Sequence, residues 1–317
     1  MDPLSSLLSG IRADGSALAH AVLHAPWTIH FADRAPLIMI CVLRGGGTLV
    51  LADGSRTRLG AGDTAVVQAA EPFRLTDTDT DTVADRPPVE YELSCFVPDG
   101  FGPSDLSCAT PELIEKAAET GAPEETSMIV GAYRASGRRH ERLLRALPPV
   151  MVVAADSDVC TWLEDSAAEA VRHSAGSQAM MDRLLDWALV CNLRTWLAEQ
   201  QHCAPAWYRG MADPVVGPAL EAIHAKPFQR WTVASLAAEA AVSRALFARR
   251  FTEVIGEPPL TYLTEWRMAE AEELLADPAR SVAQVATTVG YSDAFGFSAA
   301  FKRSRGTSPT EFRAALV

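Results

Sequence analysis

The chain has 317 residues, 48% hydrophobic and 21% charged, which is about twice the usual single-domain length and ordinary for a globular protein. No apolar run approaches the roughly 18 residues a membrane helix needs, and Met1-Asp2-Pro3 opens no basic leader, so neither a membrane partner nor a signal peptide is expected. The formal net charge of −12 argues at first against nucleic acid, and six scattered cysteines without a CxxC pair exclude zinc ribbons and suit a reducing cytoplasm.

From about residue 20 to 100 the chain reads as β. Trp27–Phe31, Leu37–Val42, Thr48–Leu51, Thr64–Val67 and Val89–Phe96 are apolar or alternating, with Gly45-Gly46-Gly47, Asp53-Gly54 and Gly60-Ala61-Gly62-Asp63 as punctuation. Ala52-Asp53-Gly54-Ser55 is a hairpin signal. Short strands with regular turns predict a barrel or sandwich. The pattern Leu43-Arg44-Gly45, Leu59-Gly60-Ala61-Gly62-Asp63, Pro72 resembles the cupin-type sensor domain.

Cupin enzymes hold a metal with a His-x-His, Glu, His set, and that resemblance directs attention to Leu37–Val42, which has no His, and to Phe73, which follows Pro72 where a His often stands. His20 and His24 have the i, i+4 spacing of a helical metal pair, but surface or core histidines account for them as well. No metal or other cofactor is expected. The expectation is an organic ligand or no ligand; an organic ligand would be bordered by Trp27, His30, Met39, Cys41, Phe73 and Cys95. The alternation Asp77–Thr82 lacks the Gly and closing Glu of a calcium loop and reads as a solvated loop. Thr110-Pro111 predicts the start of a helix that ends at Gly121.

His140–Gln200 reads as helical, and Met181, Leu184, Leu185, Ala188, Leu189, Leu193, Trp196 and Leu197 recur at three- and four-residue steps. The domain plan is a regulatory domain over 1–140, a helical dimerisation segment over 141–205, a linker over 206–213 and a DNA-binding domain over 214–317. The fold class is α+β: a cupin-like β-barrel in front, an all-α double helix-turn-helix domain behind.

The last third carries the strongest signal. Leu236-Ala237 recurs as Val285-Ala286, Val242 as Tyr291, Phe247 and Phe251 as Phe297 and Phe301, Gly256 and Pro259 as Gly306 and Pro309. The offset is 49 for the earlier pairs and 50 for the later ones, one residue being inserted between the two helices of the second copy. Each copy reads as two short helices and a tight turn, the helix-turn-helix plan. Ser243 offers a cap to Arg244–Thr252, and Ser292 or Asp293 offers one to Ala294–Arg303. Between them Pro259–Ala276 predicts one long helix, stopped at Asp277-Pro278, that spaces the two units. Recognition helices roughly 34 Å apart enter successive major grooves on one face of DNA. From Pro214 to Val317 there are 11 basic and 11 acidic residues, so the whole acidic excess lies in front and leaves the rear neutral.

These residues, together with Trp231-Thr232-Val233, Trp266-Arg267-Met268, Val289-Gly290-Tyr291, Ala300-Phe301-Lys302-Arg303 and Ser308-Pro309, resemble the AraC/XylS family of transcription regulators over about a hundred positions. The resemblance implies double-stranded DNA as partner, through Ser243, Arg244, Ala245, Ala248, Arg249 and Arg250 in the first unit. In the second it implies Ser292, Asp293, Ala294, Phe295, Ser298, Ala299, Lys302 and Arg303. Arg249 aligns with a base-contacting Arg, whereas Arg244 and Arg250 suit phosphates. The second unit departs from the family at Ala294, Phe295 and Ala299, which cannot hydrogen-bond bases, and Ala294 or Phe295 suits a thymine methyl instead. The resemblance further implies a homodimer paired by the helix near Gln178–Gln200, an activator that contacts RNA polymerase, and a small-molecule or stress signal. An oxidant sensor using cysteine is the alternative, although the Cys that precedes Gly-x-Tyr in that subgroup is Val130 here. A cupin metalloenzyme and an architectural or repressor-only DNA binder without ligand are the remaining alternatives.

Overall fold

The computed structural model describes residues 3–8, 11–13, 19–32, 35–77, 89–93, 125–135, 139–154, 176–200 and 204–315. The chain divides into two compact units. One gathers Arg12–Ala135 with Pro148–Glu199, the other Met1–Ile11, Ser136–Leu147 and Gln200–Val317.

The first unit is built of strands: β1 (Ile11–Arg12), β2 (Ala19–His24), β3 (Trp27–Phe31), β4 (Leu37–Arg44), β5 (Gly46–Val50), β6 (Arg56–Gly60), β7 (Thr64–Val67), β8 (Phe73–Thr76), β9 (Val89–Leu93), β10 (Glu125–Ala135) and β11 (Val150–Val153). One sheet runs β1-β10-β4-β7-β11, with β2 also along β10; the other runs β6-β5-β8-β3-β9. Alternate residues of both sheets make a single core, including Trp27, Ile29, Phe31, Ile38, Ile40, Val42, Phe73, Leu75, Val130 and Ala132. The β5–β6 hairpin turns at Gly54, with φ +83°, and Asp53 accepts from the Ser55 amide.

Leu37–Val42 is buried at every position because both of its faces are covered. Leu37, Met39 and Cys41 point away from the core, toward the helix Ser177–Glu199. There Tyr133 Oη donates to Leu185 O at 2.8 Å, and Asn192 Nδ2 lies 3.8 Å from Met39 Sδ. Gly131 leaves room for that helix, since a Cβ would meet Leu185 Cδ2 at 2.8 Å.

Four expectations need correction. His140–Gln200 is not continuously helical: Pro148-Pro149 breaks it, and the valine-rich Val150–Val153 is a strand paired with β7. The spacing of His20 and His24 is not helical, because β2 pairs along β10 there. Gly46 and Gly47 are strand residues, and Gly45 with φ +72° makes the turn alone. Finally, 206–213 is not a linker. The helix Ala206–Met211 buries Trp207, and Gly210 packs so closely that a Cβ would lie 2.8 Å from Ile255 Cδ1. The expected helix at Thr110–Gly121 and Thr78–Thr82 of the acidic alternation lie outside the described residues.

The second unit is helical: α1 (Pro3–Leu8), α2 (Arg139–Ala146), then, after α3 (Ser177–Glu199) of the first unit, α4 (Ala206–Met211), α5 (Gly217–Ala225), α6 (Val233–Glu239), α7 (Arg244–Ile255), α8 (Pro259–Ala276), α9 (Val282–Thr288), α10 (Ala294–Arg305) and α11 (Pro309–Ala314). The N-terminal α1 buries Leu4 and Leu8 and packs on α2, α4 and α5. The helical unit is therefore assembled from three separate stretches of chain.

Candidate nucleic-acid interface

The four helices of the two helix-turn-helix units each begin on a side-chain cap. Thr232 caps α6 and Ser281 caps α9, both in reciprocal capping boxes with Ser235 and Gln284. Ser243 caps α7 by accepting from the Leu246 amide, and Asp293 caps α10 by accepting from Gly296. Ser292 does not cap; its hydroxyl donates to Asp293 Oδ2 at 3.1 Å. The Gly296 amide, then Ser292, holds the Asp293 carboxyl below its ordinary range, so it is an anion committed to the helix end. The second helix of each unit, α7 and α10, leaves through a left-handed glycine, Gly256 and Gly306.

The hydrophobic repeat is also a structural one. Phe247, Phe251 and Tyr262 form one aromatic chain, with centroids 5.6 and 5.8 Å apart. Phe297, Phe301 and Phe312 form its counterpart at 5.7 and 5.4 Å. These rings fasten α7 and α10 by their inner faces, at the i, i+4 spacing. The rod α8 runs for 18 residues, about 27 Å, and buries Tyr262, Leu263, Trp266, Met268, Ala271 and Leu275. From its middle, Arg267 donates to Pro227 O at 2.8 Å and Gln229 O at 2.5 Å.

With the rings inside, the opposite faces point outward. Ser243, Arg244, Ala245 and Arg249 are exposed on α7 and Ala248 is half-buried. The Arg249 side chain is 72% exposed and meets Glu253 at only 3.7 Å, a pair too solvated to hold it. On α10, Phe295, Ala299, Lys302 and Arg303 are exposed, while Ala294 and Ser298 are half-buried.

Arg250 departs from expectation. Its Nε and Nη2 both donate to Asp213 Oδ2, at 2.9 and 2.7 Å. Burial raises the Asp213 carboxyl, but the Val215 and Val216 amides and the Arg250 guanidinium outweigh it and hold the group below its ordinary range. Arg250 is thus a strut joining α7 to the residues before α5 rather than a free hand for phosphate. Sequence spacing could not show this, because Asp213 lies 37 positions away. A second strut went unnoticed for the same reason: Arg305 reaches buried Glu272 and donates to Glu265 Oε2 at 2.7 Å, tying α10 to α8.

Residues 236–315 match the helix-turn-helix domain model and residues 2–198 match the cupin model. A putative AraC-like transcription regulator of Streptomyces lividans is 30% identical over 319 residues, covering 99% of this chain and 98% of that protein. The chain is an AraC-like transcription regulator. It binds DNA through its helix-turn-helix domain. A relative from Escherichia coli K12, the RCS-specific HTH-type transcriptional activator RclR, is 28% identical over 196 residues, 60% of this chain and 68% of its own. The regulator is also similar to the DNA-binding domain of AdpA, solved with a target DNA, at 35% identity, TM-score 0.30, over 33% of this chain and 93% of that one.

In the regulator's cupin domain the six residues expected around a ligand do not all converge: His30 and Phe73 line one cleft, and Trp27, Met39 and Cys41 lie apart from it. Trp27 and Phe73 belong to the core between the sheets, Met39 and Cys41 lie under α3, and Cys95 is outside the described residues. His30 remains at the rim of a cleft of about 420 Å³ with Phe31, Val50, Leu51, Phe73 and Arg74. Phe31 stacks on Phe73 there at 4.4 Å. Of the two described cysteines, Cys41 is wholly buried, and burial pushes the Cys191 thiol up despite Arg194. Among the described residues no group of three or more His, Cys, Asp or Glu is placed to hold a metal, and no helix is long and apolar enough to cross a membrane.

Proposed function

We propose that the regulator lays both recognition helices on one stretch of duplex, with Arg249 reading guanine and Arg244, Lys302 and Arg303 on phosphates. The supporting observation is that α7 and α10 are capped, fastened from behind by matching aromatic chains, and exposed on their outer faces. An Arg forks onto guanine O6 and N7 and discriminates by roughly 1–3 kcal/mol. Selection from a randomised duplex library, followed by binding of Arg249→Ala to every single-base variant of the consensus, tests this. Loss of guanine preference at one position supports it, and an unchanged base profile refutes it.

In this reading the protein is an activator that contacts RNA polymerase and responds to a small organic molecule; the activator named among its relatives supports the sign. The cleft beside His30 offers the effector an aromatic wall and, across the strand pair, Arg74. That combination suits a small organic acid. Thermal shift against a panel of such acids, repeated with Arg74→Ala, checks it.

Homodimerisation enters through α3. Leu185, Ala188, Leu189, Leu193 and Leu197 are buried within the regulator itself, so they are not the pairing surface. The opposite face carries Met180 and Trp187, 41% and 44% exposed, with half-buried Leu184 and Cys191 between and below them. Sedimentation of Trp187→Glu against the parent chain tests this face.

A further inference from the structure

Among the large apolar side chains exposed in the described residues, Phe295 stands apart. It is 86% exposed, against 51% or less for the others. The core does not require it, since Phe297 and Phe301 of the same helix already fill that role at full burial. It sits in the first turn of α10, directly after Asp293 and Ala294. Ala299 and Lys302 follow at i+4 and i+7, on the same helical stripe. The stripe thus reads ring, methyl, cation: apolar where it would reach base edges and charged where it would reach the backbone.

We infer that the second recognition helix reads thymine by its C5-methyl group, with Phe295 as the specificity-determining side chain. This rests on the reading that both helices enter major grooves. In that groove guanine, adenine and cytosine present polar atoms at the edge, and thymine alone adds a methyl. A phenyl ring offers no hydrogen bond. Set against a polar edge it strips water without replacing it, and set against a methyl it buries apolar surface on both sides.

The two units are then chemically complementary rather than duplicate. At an offset of 50, Ala245 stands where Phe295 does, and Arg249 stands where Ala299 does. The first helix has a hydrogen-bonding reader beside a small residue. The second has an apolar reader beside a small residue. The operator of one chain therefore joins a guanine-bearing box to a thymine-bearing box, and this inequality fixes the direction in which the regulator lies on DNA.

The test uses the full-length protein and the duplex consensus selected from the randomised library. Each thymine of the second box is replaced in turn by deoxyuridine, which removes only the methyl, and in a parallel series by cytosine and 5-methylcytosine. We expect one or two thymines at which uracil weakens binding about fourfold, the effect of one lost methyl contact. The 5-methylcytosine duplex should bind more tightly than the cytosine duplex at the same positions. Phe295→Ala should abolish both differences, while Arg249→Ala should keep them and lose guanine preference in the first box. Equal methyl sensitivity in wild type and Phe295→Ala, or none in wild type, overturns the inference while leaving Arg249 as a guanine reader. If the library yields no consensus, or Arg249→Ala leaves guanine preference unchanged, the parent reading fails as well. If Phe295→Ala binds every duplex as wild type does but fails in transcription with RNA polymerase, the ring is a protein contact and the inference is wrong.

Discussion

Gly290, in the turn of the second helix-turn-helix unit, lies against the carbonyl of Phe228, in the loop that precedes the first unit. Its φ is +84°, and a Cβ built on it would stand 2.5 Å from the Phe228 oxygen. Phe228 itself packs on the second unit's core, and Arg267 holds the carbonyls on either side of it. The units are therefore joined twice, by the rod α8 and by this loop, which is how two small domains keep one spacing. In the first unit the equivalent left-handed residue is Ala241, with φ +51°, and nothing in glycine's place relieves its backbone.

Opposite outcomes follow for these matched positions. Gly290→Ala should cost at least about 2 kcal/mol, from the left-handed strain of an L residue together with the clash. Ala241→Gly should stabilise by about 0.5–1 kcal/mol, the strain relieved less the entropy that glycine adds to the unfolded chain. Chemical denaturation of both variants decides; destabilisation of both contradicts the shared turn geometry.

Arg250 should behave as a strut. Arg250→Ala should lower the melting temperature of the helical unit and leave its base preferences intact, whereas Arg244→Ala should leave melting unchanged and weaken binding to all sequences. The pH dependence has a definite sign. The Asp213 carboxyl is held low when folded, so its contribution is complete above the unfolded carboxyl value, near pH 4, and is lost as pH falls through the folded one. Melting from pH 6 to 3 should show a smaller acid loss in Arg250→Ala than in the parent.

The buried Glu272 is 4% exposed and faces Arg305. Glu272→Ala leaves that guanidinium paired with Glu265 as its carboxylate and should destabilise by about 3 kcal/mol. Because the pair anchors α10, DNA binding should fall with it, through Lys302 and Phe295, while the first box remains protected. A footprint that loses both boxes together contradicts that division.

The helical repeat was legible because it rests on local signals. Caps, aromatic spacing and exit glycines lie within a dozen residues of one another, and Pro259–Ala276 is a helix end to end. The struts were not, since Asp213–Arg250 and Glu272–Arg305 join residues far apart in sequence. In the β unit, Trp27–Phe31 and Thr64–Val67 are strands over the residues that the apolar or alternating pattern marked. The long central strand Glu125–Ala135 was missed because small and polar residues, Thr126, Ser127, Gly131 and Ala132, interrupt the apolar pattern. They are there because neighbours pack tightly on both faces, as Leu185 does on Gly131. The stripe on α3 marks the face that packs on the sheet of its own chain.

Phosphate and base contacts should separate by their response to salt. Lys302→Ala should weaken every sequence alike and lower the slope of log K against log salt by about 1. Arg249→Ala should flatten base preference at one pair at any salt concentration.

The most direct measurement is a hydroxyl-radical footprint of the full-length protein on a duplex carrying a single selected site. Two protected patches on the same face of the helix, centred roughly 10 base pairs apart, are the predicted result. A single patch, or two patches on opposite faces, contradicts the placement of α7 and α10 on one duplex.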